Sequence, residues 1–123
     1  MKRGNFQNMT VEQLVEQFTS IALEQDEAIL SEDNRKYNRL FDRMTLLKQE
    51  LKNRVGDQRR ALLPLCDHES AQVRLQAAIA IVAVAPEKAR QTFQIISDRN
   101  EYPEAADARS WMRTLDEGRF KLT

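Results

Sequence analysis

The chain has 123 residues, of which 41% are hydrophobic and 31% are charged, and its formal net charge is zero. This size predicts a single domain over residues 1–123, with residues 1–9 as a flexible N-terminal segment. A balanced charge gives no global field that would draw the protein to nucleic acid or to acidic lipid. No run of about eighteen apolar residues is present, so we expect no membrane-spanning helix. One cysteine and an N-terminus, MKRGNFQNMT, without an apolar stretch predict a cytoplasmic protein.

The first half of the chain predicts a long helical hairpin. Thr10 and Gln13 have the spacing of a capping box, and apolar residues follow on one helical face: Val11, Leu14, Val15, Phe18 and Ala22. Asp33 is a candidate N-cap for a second helix, which should end before Gly56. Its apolar stripe consists of Tyr37, Leu40, Phe41, Met44, Leu47 and Leu51. The two stripes are expected to pack against each other in antiparallel fashion.

The second half predicts four shorter helices. The first begins near Asp57 and contains Pro64, and the next begins near Ser70 and is apolar nearly all round. Pro86 and Pro103 suit the first turns of the last two. Since strand and hairpin signals are almost absent, the expected fold is all-α, with about six helices in three antiparallel hairpins.

The stretch LLPLCDHESAQVRLQAAIAI, residues 62–81, resembles a HEAT-type repeat. The resemblance is carried by Leu63-Pro64-Leu65, Asp67, Val73-Arg74 and Ala77-Ala78. The whole chain resembles a bacterial family known as domain of unknown function 2019. That likeness is carried by Thr10 to Leu14, Tyr37 to Phe41, Arg59 to Leu65 with Asp67-His68, Val73 to Leu75, Val84 to Pro86 and Leu115 to Gly118. The resemblance implies a HEAT-like α-α superhelix and no known activity.

The adjacent residues Cys66, Asp67, His68 and Glu69 raise the question of a reactive site. Neighbouring residues in a turn point apart, and one cysteine with one histidine is too few for a typical zinc site. We therefore predict no catalytic residue, metal or cofactor. Instead, Asp67 is expected to accept amides of the turn, and Arg74 to reach back to Asp67 or to the preceding helix and so fix the hairpin.

Charge is unevenly placed along the chain. Residues 1–33 hold two basic and seven acidic side chains, whereas residues 34–60 hold nine basic and three acidic ones. Arg35, Arg39 and Arg43 recur at four-residue spacing beside Lys36, and Arg59 and Arg60 follow Gly56. One interpretation is that opposite charges align the hairpin and the basic face is only solvated. The other is that the basic row binds an acidic protein surface or a phosphate backbone.

These features favour a non-enzymatic protein-interaction module that binds a protein partner through the basic row, with Tyr102 as a further exposed contact. An immunity or antitoxin-like adaptor is an alternative by analogy. A HEAT-like nucleic-acid-binding protein is disfavoured because the aromatic residues lie on the apolar stripes. A homodimer through the first helix is a further expectation, since that helix carries extra apolar residues: Ile21, Leu23, Ile29 and Leu30.

Overall fold

A computed structural model describes residues 6–119, in which helical residues Phe6 and Gln7 precede five α-helices and one 3₁₀ helix, with no strand in that range. The elements are α1 (Val11–Leu30), α2 (Asn34–Asn53), the 3₁₀ helix (Gln58–Asp67), α3 (Ala71–Ile81), α4 (Pro86–Asp98) and α5 (Glu104–Asp116). The all-α prediction is confirmed. Over the described range, the chain divides into two compact units, one up to Ala61 and the other from Leu62. No helix among residues 6–119 combines the length and apolar character needed to cross a membrane.

The first unit is a hairpin of α1 and α2 that begins at the predicted capping box. The Gln13 amide donates to Thr10 Oγ1 at 3.1 Å, and the Thr10 amide donates to Gln13 Oε1 at 2.9 Å. Two N-terminal amides are thereby satisfied, which defines the first residue of the helix. The inner face of α1 is fully buried at Leu14, Phe18 and Ala22. α1 and α2 then pack closely along their lengths.

α2 begins after Asp33, whose carboxylate accepts the Lys36 amide at 3.0 Å, as predicted for an N-cap. Its buried stripe is Leu40, Met44, Leu47 and Leu51. Phe41 does not belong to this stripe, since 51% of its surface is exposed. An α-helix turns about 100° per residue, so Phe41 lies well to one side of Leu40 and outside the face that packs on α1. The prediction that Phe41 is a core residue is therefore wrong.

Residues 6–9 differ from the expected flexible N-terminal segment over residues 1–9, because they contact the hairpin. Phe6 is 1% exposed, and Arg54 of the first unit donates to the carbonyls of Phe6 and Met9 at 3.0 and 2.8 Å. The same guanidinium also pairs with Glu50 at 2.6 Å. A buried aromatic ring and two bonds to backbone carbonyls hold Phe6 to Met9 against the hairpin. Residues 1–5 lie outside the described range.

The second unit is built on α3, which is buried on almost every side, as its apolar sequence predicts. α4 packs against both α3 and α5, and α3 also contacts α5. The Phe93 and Trp111 rings stack with their centroids 5.9 Å apart. Pro86 occupies the first turn of α4, as predicted, and Pro103 directly precedes α5.

The predicted third helix is the 3₁₀ helix, with Pro64 inside it. Proline has no amide to donate and disfavours a regular α-helical ladder, which suits the tighter and shorter 3₁₀ form. Within residues 6–119, the 3₁₀ helix does not pack extensively against α3, in contrast to the predicted hairpin. α3 pairs mainly with α4 instead, and the second unit combines α3, α4 and α5 with residues 62–67 of the 3₁₀ helix.

Candidate functional site

A groove of about 410 Å³ lies on the α1–α2 hairpin. It is lined by Glu24, Lys36, Arg39, Leu40, Asp42, Arg43 and Leu46. We call it the basic groove. It contains three of the four cations of the predicted basic row.

The spacing of residues in α2 explains why these side chains share one wall of the groove. Lys36, Arg39 and Arg43 are separated by three and four residues, so successive members lie on the same side of the helix. Leu46 follows Arg43 at three residues and continues that side. Glu24, from α1, supplies the opposite wall. The result is a partly apolar depression with cations along one edge.

The cations of the row differ in what holds them. Within residues 6–119, the side chains of Arg35, Lys36 and Arg39 make no hydrogen bond or ion pair, and Arg35 and Arg39 are exposed. Arg43 is different, since its guanidinium lies 5.2 Å from the centroid of the Phe6 ring and donates to Gln17 Oε1 at 3.5 Å. Arg43 therefore contributes to the packing of the hairpin. Arg39 and Lys36 are the groove cations whose charge is left for a ligand.

The other predicted contact residues lie elsewhere and are engaged within the chain. Arg59 binds Asp57 through two side-chain bonds of 2.9 and 2.6 Å, and these bonds lower the pKa of the Asp57 carboxyl. Arg60 also interacts within the chain. Tyr102 belongs to the second unit and is 60% exposed, with the Arg109 guanidinium 5.3 Å from its ring centroid. None of the three is among the residues that line the basic groove.

The residues proposed for self-association on α1 are not equally accessible. Leu23 and Leu30 are 40% and 78% exposed, whereas Ile29 is half-buried. Ile21 is only 2% exposed and belongs to the core. The exposed apolar surface of α1 is therefore smaller than the sequence indicates and is centred on Leu23 and Leu30.

The turn around Cys66 has the character of a structural element. Cys66 is 5% exposed, and burial raises the pKa of its thiol. His68 Nδ1 accepts the Ser70 amide at 2.9 Å, which helps to start α3. Asp67 is largely exposed, and its nearest cation, Lys88 Nζ, is 3.8 Å away. Among residues 6–119, no three side chains of the metal-binding types come together.

Arg74 does hold this turn, but not through Asp67, which is one of the two partners that the sequence predicts. Its guanidinium donates to the His68 carbonyl at 2.7 Å and to both carboxylate oxygens of Glu101 at 2.7 and 2.8 Å. A weaker bond reaches the Glu69 carbonyl at 3.3 Å. The hydrogen bond from Arg74 lowers the pKa of the Glu101 carboxyl. Asp67 points to solvent, so the bidentate acceptor of Arg74 comes from the loop before α5 instead.

Comparison with known proteins places the chain in a family. The family model described as "Domain of unknown function (DUF2019)" matches residues 12–116. The chain belongs to the DUF2019 family. This DUF2019 protein is also similar to a solved structure, the crystal structure of the protein RPA1889 from Rhodopseudomonas palustris CGA009. The two are 44% identical over 94% of this chain and 96% of that one, with a TM-score of 0.92. No curated protein matches this DUF2019 chain.

Proposed function

We propose that this DUF2019 protein is a non-enzymatic, HEAT-like interaction module whose basic groove binds an acidic surface of a protein partner. One observation carries the proposal: Arg39 and Lys36 stand beside an apolar depression without an ion pair in the described part of the chain. Cations next to an apolar surface recognise a carboxylate-flanked apolar side chain, because charge sets the orientation and the apolar contact excludes water. The repeat-like sequence between Leu63 and Ala78 supports the HEAT-like assignment.

The make-up of the groove favours protein over nucleic acid. Glu24 and Asp42 are among its lining residues, and carboxylates there would repel the regularly spaced phosphates of a nucleic acid. No aromatic side chain lines the groove, so unpaired bases would find no stacking surface. A protein surface can present acidic and basic groups in the same patch, and a mixed groove is suited to such a partner.

The chemistry of Glu101 and Cys66 in the second unit supports a binding role rather than catalysis. General acid-base catalysis requires an acid or base held in a cleft with a shifted pKa. In the second unit, Glu101 has a lowered pKa, but its carboxylate is bound by Arg74 and acts as a structural acceptor. Cys66 is buried, and its raised pKa makes it a poor nucleophile at neutral pH.

A charge-reversal experiment tests the proposal. Tagged wild-type protein is used to capture partners from the lysate of its own organism, in parallel with Arg39→Glu. Arg113→Glu is the matched control, because Arg113 is an exposed helical arginine of the second unit with no ion pair within residues 6–119. A true partner is retained by the wild type and by the control. Its recovery falls at least about tenfold with Arg39→Glu, since losing one well-placed charge contact costs about 1.4 kcal/mol or more.

Raising the ionic strength is expected to weaken the same capture, because exposed charges are screened over a shorter distance. A captured protein that binds equally to the wild type and to Arg39→Glu would contradict the role of the groove. So would the complete absence of a protein whose capture depends on Arg39.

A further inference from the structure

The hairpin that bears the basic groove carries a second surface of opposite charge. Leu23, Glu27 and Leu30 are spaced four and three residues apart and so lie along one side of α1. All three are exposed, and Leu30, at 78%, is among the most exposed large apolar residues of the described chain. Asp26 lies within one residue of Glu27 in sequence. We call Leu23, Glu27 and Leu30 the acidic ridge.

The ridge and the groove are neighbours on one protomer. Glu24 lines the groove from the α1 side, and Glu27 lies one helical turn further along the same helix. Nevertheless, neither glutamate forms an ion pair with Lys36 or Arg39, and neither has any side-chain partner within residues 6–119. The glutamates of α1 and the cations of the groove therefore lie in one hairpin without forming ion pairs with each other.

We propose that the acidic ridge of a second copy of this chain occupies the basic groove. In a two-fold dimer the ridge of each copy enters the groove of the other, so that every contact is made twice. Glu27 of one copy then faces Arg39 of the other, and Leu23 and Leu30 cover the apolar part of the groove around Leu46. This inference rests on the proposed function and names the partner of the same groove.

Two kinds of complementarity favour a second copy over an unrelated acidic partner. The groove presents Lys36 and Arg39 beside an apolar depression, whereas the ridge presents the Glu27 carboxylate between two exposed leucines, so a cation can meet a carboxylate and apolar surface can meet apolar surface. Homodimer interfaces also tend to be more apolar than the rest of the surface. In the groove of the second copy, Leu23 and Leu30 would be buried from water. A contact made only by charged groups would leave them exposed.

Reciprocal charge reversal tests the dimer in a way that a single variant cannot. Sedimentation equilibrium of the full chain at low ionic strength should show a monomer–dimer equilibrium for the wild type. Arg39→Glu places two glutamates opposite each other at both contacts, and Glu27→Lys places lysine opposite Arg39 at both. Each variant alone should dimerise at least about a hundredfold more weakly, since two symmetry-related pairs change from attraction to repulsion.

An equimolar mixture of the two variants should recover the dimer. In the mixed pair, the glutamate introduced at position 39 of one copy faces the lysine introduced at position 27 of the other, and the second contact keeps the wild-type Arg39 and Glu27. Both contacts are then attractive, which no general effect of surface charge would produce. Circular dichroism of each variant checks that the helices are retained, and Arg113→Glu should dimerise like the wild type.

Three results would overturn the proposal: a wild type that stays monomeric up to its highest soluble concentration, a dimer insensitive to both reversals, or a mixture that stays monomeric. The failure would be specific to the second copy if the lysate experiment still captured a different acidic protein through Arg39. If neither experiment showed dependence on Arg39, the proposed function itself would be wrong.

Discussion

The bond network of Arg74 makes a sharp prediction about stability. Arg74 is 6% exposed, and its side chain connects the start of α3 with Glu101 in the loop before α5. Arg74→Ala removes two bonds to the Glu101 carboxylate and one short bond to the His68 carbonyl. The substitution leaves the Glu101 carboxylate and the His68 carbonyl without the donor that they share.

The size of the effect follows from burial. Breaking a buried ion pair by removing one partner costs about 3–5 kcal/mol, because the remaining charge is left without compensation. The Glu101 side chain is 25% exposed, so water can solvate part of its carboxylate after the substitution. We therefore expect the lower end of that range, about 3 kcal/mol of the free energy of unfolding. At a urea dependence of about 1–3 kcal/mol per molar, the unfolding midpoint falls by about 1–3 M.

Arg90→Ala is the matched control, measured by urea unfolding with circular dichroism. Arg90 binds Asp116 in the same bidentate manner at 2.8 and 2.7 Å, but the two side chains are 41% and 53% exposed. Solvent-exposed pairs contribute little to stability, so this variant should unfold close to the wild type. Equal and small decreases in the urea midpoint for Arg74→Ala and Arg90→Ala would refute the reasoning. They would show that burial of the Arg74–Glu101 pair adds nothing to the free energy of unfolding.

Two further predictions concern titratable groups of the second unit. Because the pKa of Glu101 is lowered from 4.5 by Arg74, its ionisation stabilises the fold above pH 4.5, and this contribution is lost as the pH falls through the lower folded value. The difference in urea midpoint between wild type and Glu101→Gln should therefore be constant from neutral pH to about pH 4.5 and should shrink below pH 4.5. A difference that does not depend on pH would contradict the stabilising role of the Glu101 carboxylate. Cys66 is 5% exposed, and its thiol has a raised pKa. Iodoacetamide should therefore alkylate Cys66 at least about a hundredfold more slowly in the native protein than in urea-unfolded protein. Equal rates would show that the thiol is accessible in the native protein.

The starts of the helices are predictable because they depend on local chemistry. Thr10 and Asp33 cap α1 and α2 through side-chain bonds to amides three residues ahead, and Ser70 does the same for α3. The partners of such a bond are separated by a fixed number of residues, so the sequence alone displays both. Pro86 at the first turn of α4 follows the same logic, since its missing amide would have had no helical partner there.

Two of the errors have the opposite cause, because each involves a partner distant in sequence. Arg74 and Glu101 are 27 residues apart, and no spacing rule connects them. Asp67 is the partner that the sequence suggests because it lies close in the chain, yet proximity in sequence does not aim its carboxylate at the guanidinium. Phe6 precedes the first helical pattern, and its sequence context therefore predicts a flexible segment. The Phe6 carbonyl accepts a bond from Arg54, which is 48 residues away.

The basic row shows how far a charge pattern can be interpreted before the fold is known. Four-residue spacing places Arg35, Arg39 and Arg43 on one side of a helix, and the structure keeps Arg39 and Arg43 together in the groove. The pattern does not distinguish Arg43, which lies over the Phe6 ring, from Arg39, which has no partner in the described chain. This difference determines whether a charge reversal at Arg39 or at Arg43 tests the groove alone. Reversal of Arg43 would disturb the packing of the hairpin as well as any interface, whereas reversal of Arg39 changes the charge of the groove and leaves the described packing contacts in place.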